Sequence, residues 1–396
     1  MGTPVYANGF KVLGVKSAKA TAMGEAFVAQ ADDPSAIAFN PAGLPAVKGT
    51  QASLQLTETT AWIEHTAPSG RTEKNIDSWQ TVPAFYLTSD WGWDAVTTGF
   101  GISVPNGLGS EWSKTSMVRY VATYSDLQLI DFNPCVGWAV NDRFSVGLGI
   151  SYYKSEATLE NMLDFGLFAG APGAADALSR LRADGDAWGY NAGVQYQLSE
   201  TSTLALTFKS PFTVDYSGNA DLGPTISSPA TASLDYAGVV VFGYAFKPSE
   251  KLKCEVNIDW TNGNRLNNLV VDFSDPALAD AVYQYNLENT FAYKFGVEYQ
   301  LNERLALRAG YIYNENATPE ATFRPSLPDT ETHFLCTGVG YTVGKFVVDA
   351  AAVAIFYEDR TIDNNVGNNE FISSSSVDGR YETFAVDVAV GVTYRF

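Results

Sequence analysis

The sequence predicts an all-β membrane protein, a 14-stranded antiparallel transmembrane β-barrel. Three observations predict this fold. The last segment alternates strictly between apolar and small or polar residues, the aromatic content is high although no long apolar stretch occurs, and short polar turns alternate with long connections. Successive side chains of a strand point to opposite faces, so an alternating strand offers one face to lipid and the other to water.

The C-terminal segment, residues 380–396, shows the alternation most clearly. An edge strand of a soluble β-sandwich also alternates, but a soluble protein seldom ends on an exposed Phe. Phe396 is also the residue that the outer-membrane assembly machinery is expected to recognise. The apolar face carries Phe384, Val386, Val388, Val390, Val392, Tyr394 and Phe396, and the other face carries Thr383, Ala385, Asp387, Ala389, Gly391, Thr393 and Arg395.

Composition agrees with a barrel and excludes several other classes. The 396 residues are 46% hydrophobic and 13% aromatic, and no run of about 18 apolar residues exists that would form a membrane-spanning helix. The formal charge of -19 opposes nucleic-acid binding, because acidic residues repel phosphate. Cys135, Cys254 and Cys336 lie far apart, outside any CxxC or Cys/His cluster. We therefore expect no metal and no cofactor.

Short turns and long connections alternate along the chain. Tight polar turns occur around Asn141, Ser199, Pro248 and Asn302, each between alternating runs. Short turns on one rim and long loops on the other are typical of bacterial outer-membrane barrels. The longer connections are residues 106–116, 156–186, 218–228, 263–288, 315–330 and 359–379.

The alternating runs predict fourteen strands. An even number returns the last strand to the rim of short turns, where the barrel closes and loses its edges. One predicted strand has a lipid face of Phe291, Tyr293, Phe295, Val297, Tyr299 and Leu301, opposite Lys294, Glu298 and Gln300. The predicted strands lie near residues 50–65, 79–89, 95–105, 117–140, 144–155, 188–198, 203–216, 231–247, 252–262, 290–301, 305–314, 331–343, 346–358 and 380–396.

The first 48 residues do not alternate and are predicted to lie outside the barrel wall, residues 49–396. This stretch is rich in Ala and Gly, and such a segment packs compactly inside a lumen where large side chains do not fit. A disordered periplasmic leader is the alternative. The N-terminus lacks a basic segment followed by an apolar one, so a secretory signal is expected to have been removed before it.

Three segments in the same order resemble the FadL/TodX family of outer-membrane transporters of long-chain fatty acids and other hydrophobic molecules. They are ADDPSAIAFNPAGLPAV with its Asn-Pro-Ala motif at Asn40, Pro41 and Ala42, GDAWGYNAGVQYQL at residues 185–198, and residues 305–344 with a Leu-Pro-Asp stretch. The resemblance implies a barrel plugged by an N-terminal hatch. It also implies that a hydrophobic molecule binds an extracellular groove, enters a lumen pocket and leaves sideways at a kinked third strand.

The resemblance places candidate site residues. Gly99, Gly101 and Pro105 are candidates for the strand kink, although ordinary lumen-facing glycines are an equal alternative. The connection 156–186 carries an apolar set that suggests a ligand groove, unless two short helices split at Pro172 simply pack together. The groove candidates are Leu163, Phe165, Leu167, Phe168, Leu178 and Leu181.

A fatty-acid pocket is expected to hold a cation for the carboxylate. Lys154 matches a basic family position, whereas a second one falls near the uncharged Thr290, which leaves a fatty acid in doubt. Lys209, Lys294 and Arg308 are the substitutes, unless each pairs with an acidic residue in the lumen.

Two other functions compete with transport of hydrophobic molecules. A general or acidic-lumen aqueous diffusion porin fits alternation and acidity but needs no hatch and no apolar loop. An outer-membrane enzyme needs a nucleophile and a base; His65 and His333 are the only histidines, and His333 lies beside no obvious Ser/Asp arrangement. The expected partners are a hydrophobic ligand, outer-membrane lipid or lipopolysaccharide and the barrel assembly machinery, and we expect a monomer.

Overall fold

The computed structural model describes residues 13–168, 170, 173, 175–364, 366 and 377–396, with Leu108 and Leu167 described by their backbone alone. Among these residues, no helix is long and apolar enough to span a membrane. The short helices are α1 (Ala18–Ala22), α2 (Ala36–Phe39) and α3 (Phe165–Phe168), with 3-10 helices at Pro41–Ala46, Gly263–Arg265 and Glu320–Thr322.

Strands make up most of the remaining chain and belong to one antiparallel sheet. They are β1 (Thr50–Thr66), β2 (Thr72–Lys74), β3 (Gln80–Ser89), β4 (Val96–Glu111), β5 (Tyr124–Ala139), β6 (Phe144–Leu163), β7 (Ala177–Ser199), β8 (Ser202–Lys209), β9 (Phe212–Leu222), β10 (Ile226–Tyr236), β11 (Val239–Ser249), β12 (Leu252–Thr261), β13 (Asn268–Phe273), β14 (Ala281–Gln284), β15 (Thr290–Gln300), β16 (Leu305–Asn314), β17 (Thr332–Val343), β18 (Phe346–Tyr357), β19 (Arg360–Ile362) and β20 (Gly379–Arg395).

Fourteen of these strands close a ring, which confirms the predicted barrel. The ring runs β1, β3, β4, β5, β6, β7, β8, β11, β12, β15, β16, β17, β18 and β20. It closes where β20 pairs with β1 from Arg395 opposite Gln51 to Arg380 opposite Thr66. This closure pairs the first strand of the ring with the last, as a sheet in lipid requires.

The predicted faces of the wall are confirmed in β20 and β15. On β20, Phe384, Val388 and Val390 are exposed on the outward face, whereas Ala385 and Asp387 are buried on the inward face. The same division holds along β15. Its exposed outward residues are Phe291, Tyr293, Phe295 and Tyr299, and Lys294 and Glu298 are buried.

Several predicted boundaries differ from the structure. The predicted strand 203–216 is two strands, β8 and β9, interrupted at Ser210 and Pro211, because proline has no amide hydrogen for the ladder. The predicted strand 231–247 is likewise divided into β10 and β11. The third strand of the ring, β4, continues past the predicted end at residue 105 to Glu111, since it stays paired with β5.

The predicted connection 156–186 is mostly strand. Strands β6 and β7 stay paired up to Leu163 opposite Ala177, so they form a tall hairpin above the rest of the wall. Between them the structure has the four-residue helix α3. The alternative of two short helices is therefore wrong, because the second half of the connection is β7; Pro172 lies outside the described residues.

Residues 13–48 pack against the inward face of the wall. Ser17 begins α1 by accepting a hydrogen bond from the amide of Ala20, at 3.4 Å. Inward-facing side chains of the wall bind the backbone of this segment: Gln55 on β1 accepts from Ala18, and Glu255 on β12 accepts from Ala29. The division at residue 48 into a hatch and a barrel, and the role of a plug, stay predictions.

Glycines of the wall allow this close approach. A Cβ built on Gly310 of β16 lies 2.1 Å from the nitrogen of Gly24 and 2.2 Å from the carbonyl carbon of Met23. A Cβ on Gly147 of β6 lies 2.2 Å from the carbonyl carbon of Pro41. Any side chain at these positions displaces the backbone of the N-terminal segment.

The variant Gly310→Val tests this packing. The valine side chain collides with the backbone at Met23 and Gly24, so we expect residues 13–48 to become sensitive to protease while the barrel still forms. Ala309→Val is the matched control, because Ala309 is exposed on the outward face of the same strand. Protection equal to that of the wild type in both variants, with folding verified by heat-modifiable migration on gels, contradicts the proposed fit.

Candidate functional site

The wall opens between the second and third strands of the ring. All ten residues of β3 pair with β1, but only Phe85 to Ser89 pair with β4, from Phe85 opposite Ile102 to Ser89 opposite Thr98. Higher up, the amide of Ile76 donates to the carbonyl of Glu111, at 2.8 Å. Between these two closures, residues 80–84 of the described chain share no register pair with β4. We call this gap the wall opening.

The cause of the wall opening lies in β4. Its register against β5 shifts between Ser103 and Asn106, so Val104 and Pro105 stand opposite the single residue Ile130. Such a bulge bends its strand and increases the local twist. Proline also removes one ladder donor. Pro105 therefore lies where β4 leaves β3, at the position that the sequence marks as a kink candidate.

Gly99 and Gly101 are required for a steric reason rather than to bend the strand. A Cβ on Gly99 lies 2.7 Å from Cδ1 of Ile37, and a Cβ on Gly101 lies 2.8 Å from Cγ2 of the same residue. Both positions still pair regularly with β3. These glycines make room for α2 of the N-terminal segment, below the bulge.

A cavity of about 300 Å³ lies at the upper part of the wall opening. Trp79 and Gln80 line one side, Gly109 and Ser110 line the other, and Pro328 reaches it from a distant connection. Cavities of this size accommodate small organic molecules.

The inward face of the upper barrel is apolar. A ladder of stacked rings crosses it, with centroids 3.9 Å apart for Tyr153 and Phe212 and 4.8 Å apart for Phe212 and Tyr236. We call the buried set around this ladder the inner apolar cluster. Its members are Leu127, Leu129, Tyr153, Ala187, Phe212, Val214, Tyr216, Leu234, Tyr236, Leu266, Leu269, Tyr285, Leu287, Ala317 and Leu327.

Two lysines lie beneath the inner apolar cluster. Lys16 of the N-terminal segment and Lys209 of β8 both line two adjoining cavities of about 50 Å³ each, which they share with Val239. The second cavity also touches Pro105 and Tyr153, so it connects the bulge with the aromatic ladder. Lys209, a sequence candidate, thus faces the interior.

Lys16 is buried and cationic, and among the described residues no carboxylate forms an ion pair with it. Its Nζ lies 5.7 Å from the ring centroid of Phe39. Burial lowers the pKa of the Lys16 ammonium to about 8, against the opposing charge of Glu25. The neighbouring cation Lys209 lowers the pKa of Lys16 further. An anion between the two lysines relieves both effects.

Lys294 and Arg308 are already paired. Lys294 Nζ lies 2.8 Å from Asp259 and 3.2 Å from Glu25. Arg308 donates from Nε to Glu298, at 2.7 Å, and from Nη1 to Asp349, at 2.6 Å. Removing one partner of such a buried pair costs about 3–5 kcal/mol of folding free energy. These geometries fit the alternative that the sequence left open, lumen charges paired with acidic residues.

Lys154 is exposed on the outward face of β6, on the same side as Leu148 and Ile150. Its side chain therefore points away from the two interior cavities. Carboxylate binding in the lumen is not supported for Lys154, because alternation along β6 turns its neighbours Tyr153 and Ser155 inward instead.

The Asn-Pro-Ala motif shapes the N-terminal segment. Asn40 is fully buried, and its side-chain oxygen accepts from the amide of Ala42, at 3.0 Å, while its Nδ2 donates to the carbonyl of Val28, at 2.8 Å. Pro41 opens the 3-10 helix at a position that needs no amide donor. One side chain thus caps a helix and joins two turns of the segment.

The predicted groove residues do not converge on one surface. Leu163 ends β6, while Leu178 and Leu181 lie on opposite faces of β7. Phe165 of α3 packs against Gly223, where a Cβ would come within 2.7 Å of its ring, and Phe168 lies 6.4 Å from Phe165 between centroids. The side chain of Leu167 lies outside the described residues. A ligand groove at these positions stays a prediction.

Sequence reasoning missed Lys16 and the inner apolar cluster. Lys16 lies in an Ala- and Gly-rich stretch with no periodicity, so no pattern indicates which way its side chain points. The cluster gathers residues from many strands and connections, which only closure of the ring brings together. One usable signal was the run of inward-facing apolar residues Phe212, Val214 and Tyr216, which departs from the polar lumen face of a water-filled barrel.

Comparison with known proteins agrees with this architecture. The chain is 25% identical to a putative outer membrane protein, NMB0088, of Neisseria meningitidis serogroup B, over 99% of the chain and 95% of the relative. It is 23% identical to the long-chain fatty acid transport protein of Escherichia coli K12, over 72% of each. A FadL homologue from Pseudomonas aeruginosa shares the fold, with a TM-score of 0.85, 19% identity and full coverage of both chains.

A family model matches nearly the whole chain, residues 2–396. That match agrees with the closed 14-stranded barrel and with the relatives that are named outer membrane proteins. The protein is therefore a β-barrel of the bacterial outer membrane, and it belongs to the outer membrane protein transport protein family (OMPP1/FadL/TodX).

Proposed function

We propose that the protein takes up hydrophobic small molecules, such as long-chain fatty acids or aromatic and aliphatic hydrocarbons, and releases them sideways into the membrane through the wall opening. The loss of pairing between β3 and β4, directly beside a cavity, carries this proposal. An unpaired stretch of wall is costly in lipid, because its backbone groups lack partners. A transporter that delivers its substrate sideways has a use for such a stretch.

The inner apolar cluster supports an apolar cargo. Burying apolar surface is favourable by about 25 cal/mol per Å², so a hydrophobic solute gains by moving from water to this lining and then to lipid. An aqueous porin has no use for buried aromatic stacking such as Tyr153 on Phe212. The porin alternative also leaves unexplained the segment 13–48 packed against the inward wall.

The N-terminal segment acts as a hatch in this proposal. Its ties to the wall include the Glu255 carboxylate, which accepts from the amides of Ala29 and Gln30, at 2.8 and 2.9 Å. Lys294 adds the buried pair with Glu25. A plug held by charge-assisted bonds favours sideways exit over passage into the periplasm.

Deleting Pro105 tests the proposed exit. The deletion removes the extra residue of the bulge and lets β4 continue in register with β5, so we expect β4 to approach β3 and uptake to fall strongly. The measurement is uptake of a labelled fatty acid and a labelled monoaromatic hydrocarbon by cells that lack their own transporters. Pro105→Ala is the matched control, since it keeps the extra residue. Unchanged uptake after the deletion, in a folded barrel, contradicts sideways exit at this position.

Lys16 and Lys209 are proposed to hold the carboxylate of an acidic substrate. Because the pKa of Lys16 is about 8, the ammonium is charged below that pH and becomes neutral as the pH rises. We expect affinity for an alkanoate to weaken between pH 7 and pH 9.5, by up to about tenfold per pH unit above the pKa. Affinity for the alkanol of the same chain length is expected to stay constant.

The variants Lys16→Met and Lys154→Met test whether alkanoate binding depends on this particular lysine or on any positive charge of the protein. Methionine preserves the apolar stem, so Lys16→Met is expected to lower alkanoate affinity at pH 7 by about tenfold or more, the worth of a hydrogen bond to a charged group. Lys154→Met, on the outward face, is expected to have no effect. Equal alkanoate affinity in the wild type and both variants rules out the lysine pair as the carboxylate site.

A further inference from the structure

The connection between β16 and β17 folds into the barrel mouth at the rim of long connections. We call residues 315–330 the mouth segment. Ala317, Phe323 and Leu327 are 1% exposed and Asp329 is fully buried. Connections at a rim are ordinarily solvated. Burial this deep indicates that the mouth segment fills space between the strands.

The base of the mouth segment is firmly held by Arg360 of β19. Its Nη1 donates to the carbonyl of Asp329 and its Nη2 to the carbonyl of Thr318, both at 2.7 Å. The Asp329 carboxylate in turn accepts from the amide of Ala317, at 3.0 Å. Hydrogen bonds from a charged donor are shorter and stronger than those between neutral groups.

The tip of the mouth segment, residues 325–328, is joined to the opposite wall by two long hydrogen bonds. The carbonyl of Pro325 accepts from Nε1 of Trp112, at 3.3 Å, and the carbonyl of Ser326 accepts from Oγ of Ser110, at 3.4 Å. Both distances lie beyond the usual range for their donors. Short hydrogen bonds at the base and long hydrogen bonds at the tip favour a hinge motion, because the tip contacts break first.

The tip reaches across the mouth to the wall opening. Ser110 is in β4, which is separated from β17 around the ring by four strands, β18, β20, β1 and β3. Ser110 and Pro328 both line the cavity at the wall opening. The tip therefore lies where a solute from outside would enter the proposed exit route.

Leu327 places an apolar side chain of the mouth segment in the inner apolar cluster. Other members of this cluster are Tyr285 and Leu287, from the connection after β14. Burial of the leucine side chain is favourable because it removes apolar surface from water. A hydrophobic solute offers the cluster a similar gain, so it competes with Leu327 for the same surface.

We propose that the mouth segment is a lid, whose tip leaves Ser110 and Trp112 to admit a hydrophobic solute while Arg360 holds its base. The lid rests on the proposed function, since it controls entry of the same cargo. The solute replaces Leu327 in the inner apolar cluster, and this exchange favours hydrophobic molecules over water and sugars.

A reversible crosslink tests the lid. Ser110→Cys combined with Ser326→Cys puts one thiol on each side of the contact between Ser110 Oγ and the Ser326 carbonyl, and all three native cysteines are buried. After oxidation we expect uptake of a labelled fatty acid to fall about tenfold or more, because uptake follows the open fraction. Reduction with dithiothreitol is expected to restore it. Undiminished uptake with the crosslink formed overturns the lid.

Two controls accompany this experiment. The first shows whether any crosslink at this rim lowers uptake, and the second shows whether the wild type transports hydrophobic solutes at all. Thr66→Cys with Thr72→Cys joins hydroxyl positions 3.1 Å apart in the exposed hairpin at the same rim, and it is expected to leave uptake unchanged. Wild-type protein that takes up no hydrophobic solute counts against the proposed function instead.

Hydrogen exchange tests the lid without transport. Trp112→Phe keeps an aromatic side chain but removes the indole N–H that donates to Pro325, so amides of residues 323–330 are expected to exchange faster while the strands of the barrel are unaffected. Trp62→Phe makes the same substitution at an exposed position outside the mouth, where Nε1 donates to Asp77 at 3.2 Å, and it serves as the control. Equal exchange of residues 323–330 in both variants and the wild type overturns a weakly latched tip.

Discussion

Every backbone amide of the wall must find its partner on a neighbouring strand, because hydrocarbon offers none. Pairing of β20 with β1 over the full length of both strands satisfies this constraint at the closure of the ring. The gap between β3 and β4 departs from it at one defined place, beside the bulge at Pro105. A departure that lipid penalises needs a compensating role, and the proposed sideways release of an apolar solute is one.

The interior is divided into two environments. The lower part is polar and tightly tied, with the pairs of Lys294 and Arg308 next to wall glycines that receive the N-terminal segment. The upper part is apolar, with an aromatic ladder around Phe212. Lys16 and Lys209 lie at the boundary. A molecule with an apolar body and an anionic end is complementary to an apolar upper interior with two lysines at its lower boundary.

Local patterns predicted what depends on a single strand. The faces of β20 and β15 follow from alternation, and the closed ring of fourteen strands follows from the turns. Properties that depend on a distant partner were out of reach. Arg308 looked available as a carboxylate site because Asp349 is 41 residues away, and Gly99 looked like a bend because Ile37 lies in another part of the chain.

Selective permeability of liposomes tests the central claim most directly. The account predicts that liposomes with the intact protein exclude small sugars yet transfer a labelled fatty acid or hydrocarbon, and that sugars pass only after deletion of residues 1–48. Sugar flux through the intact protein, at the rate given by the deletion variant, would contradict the account and favour an aqueous porin.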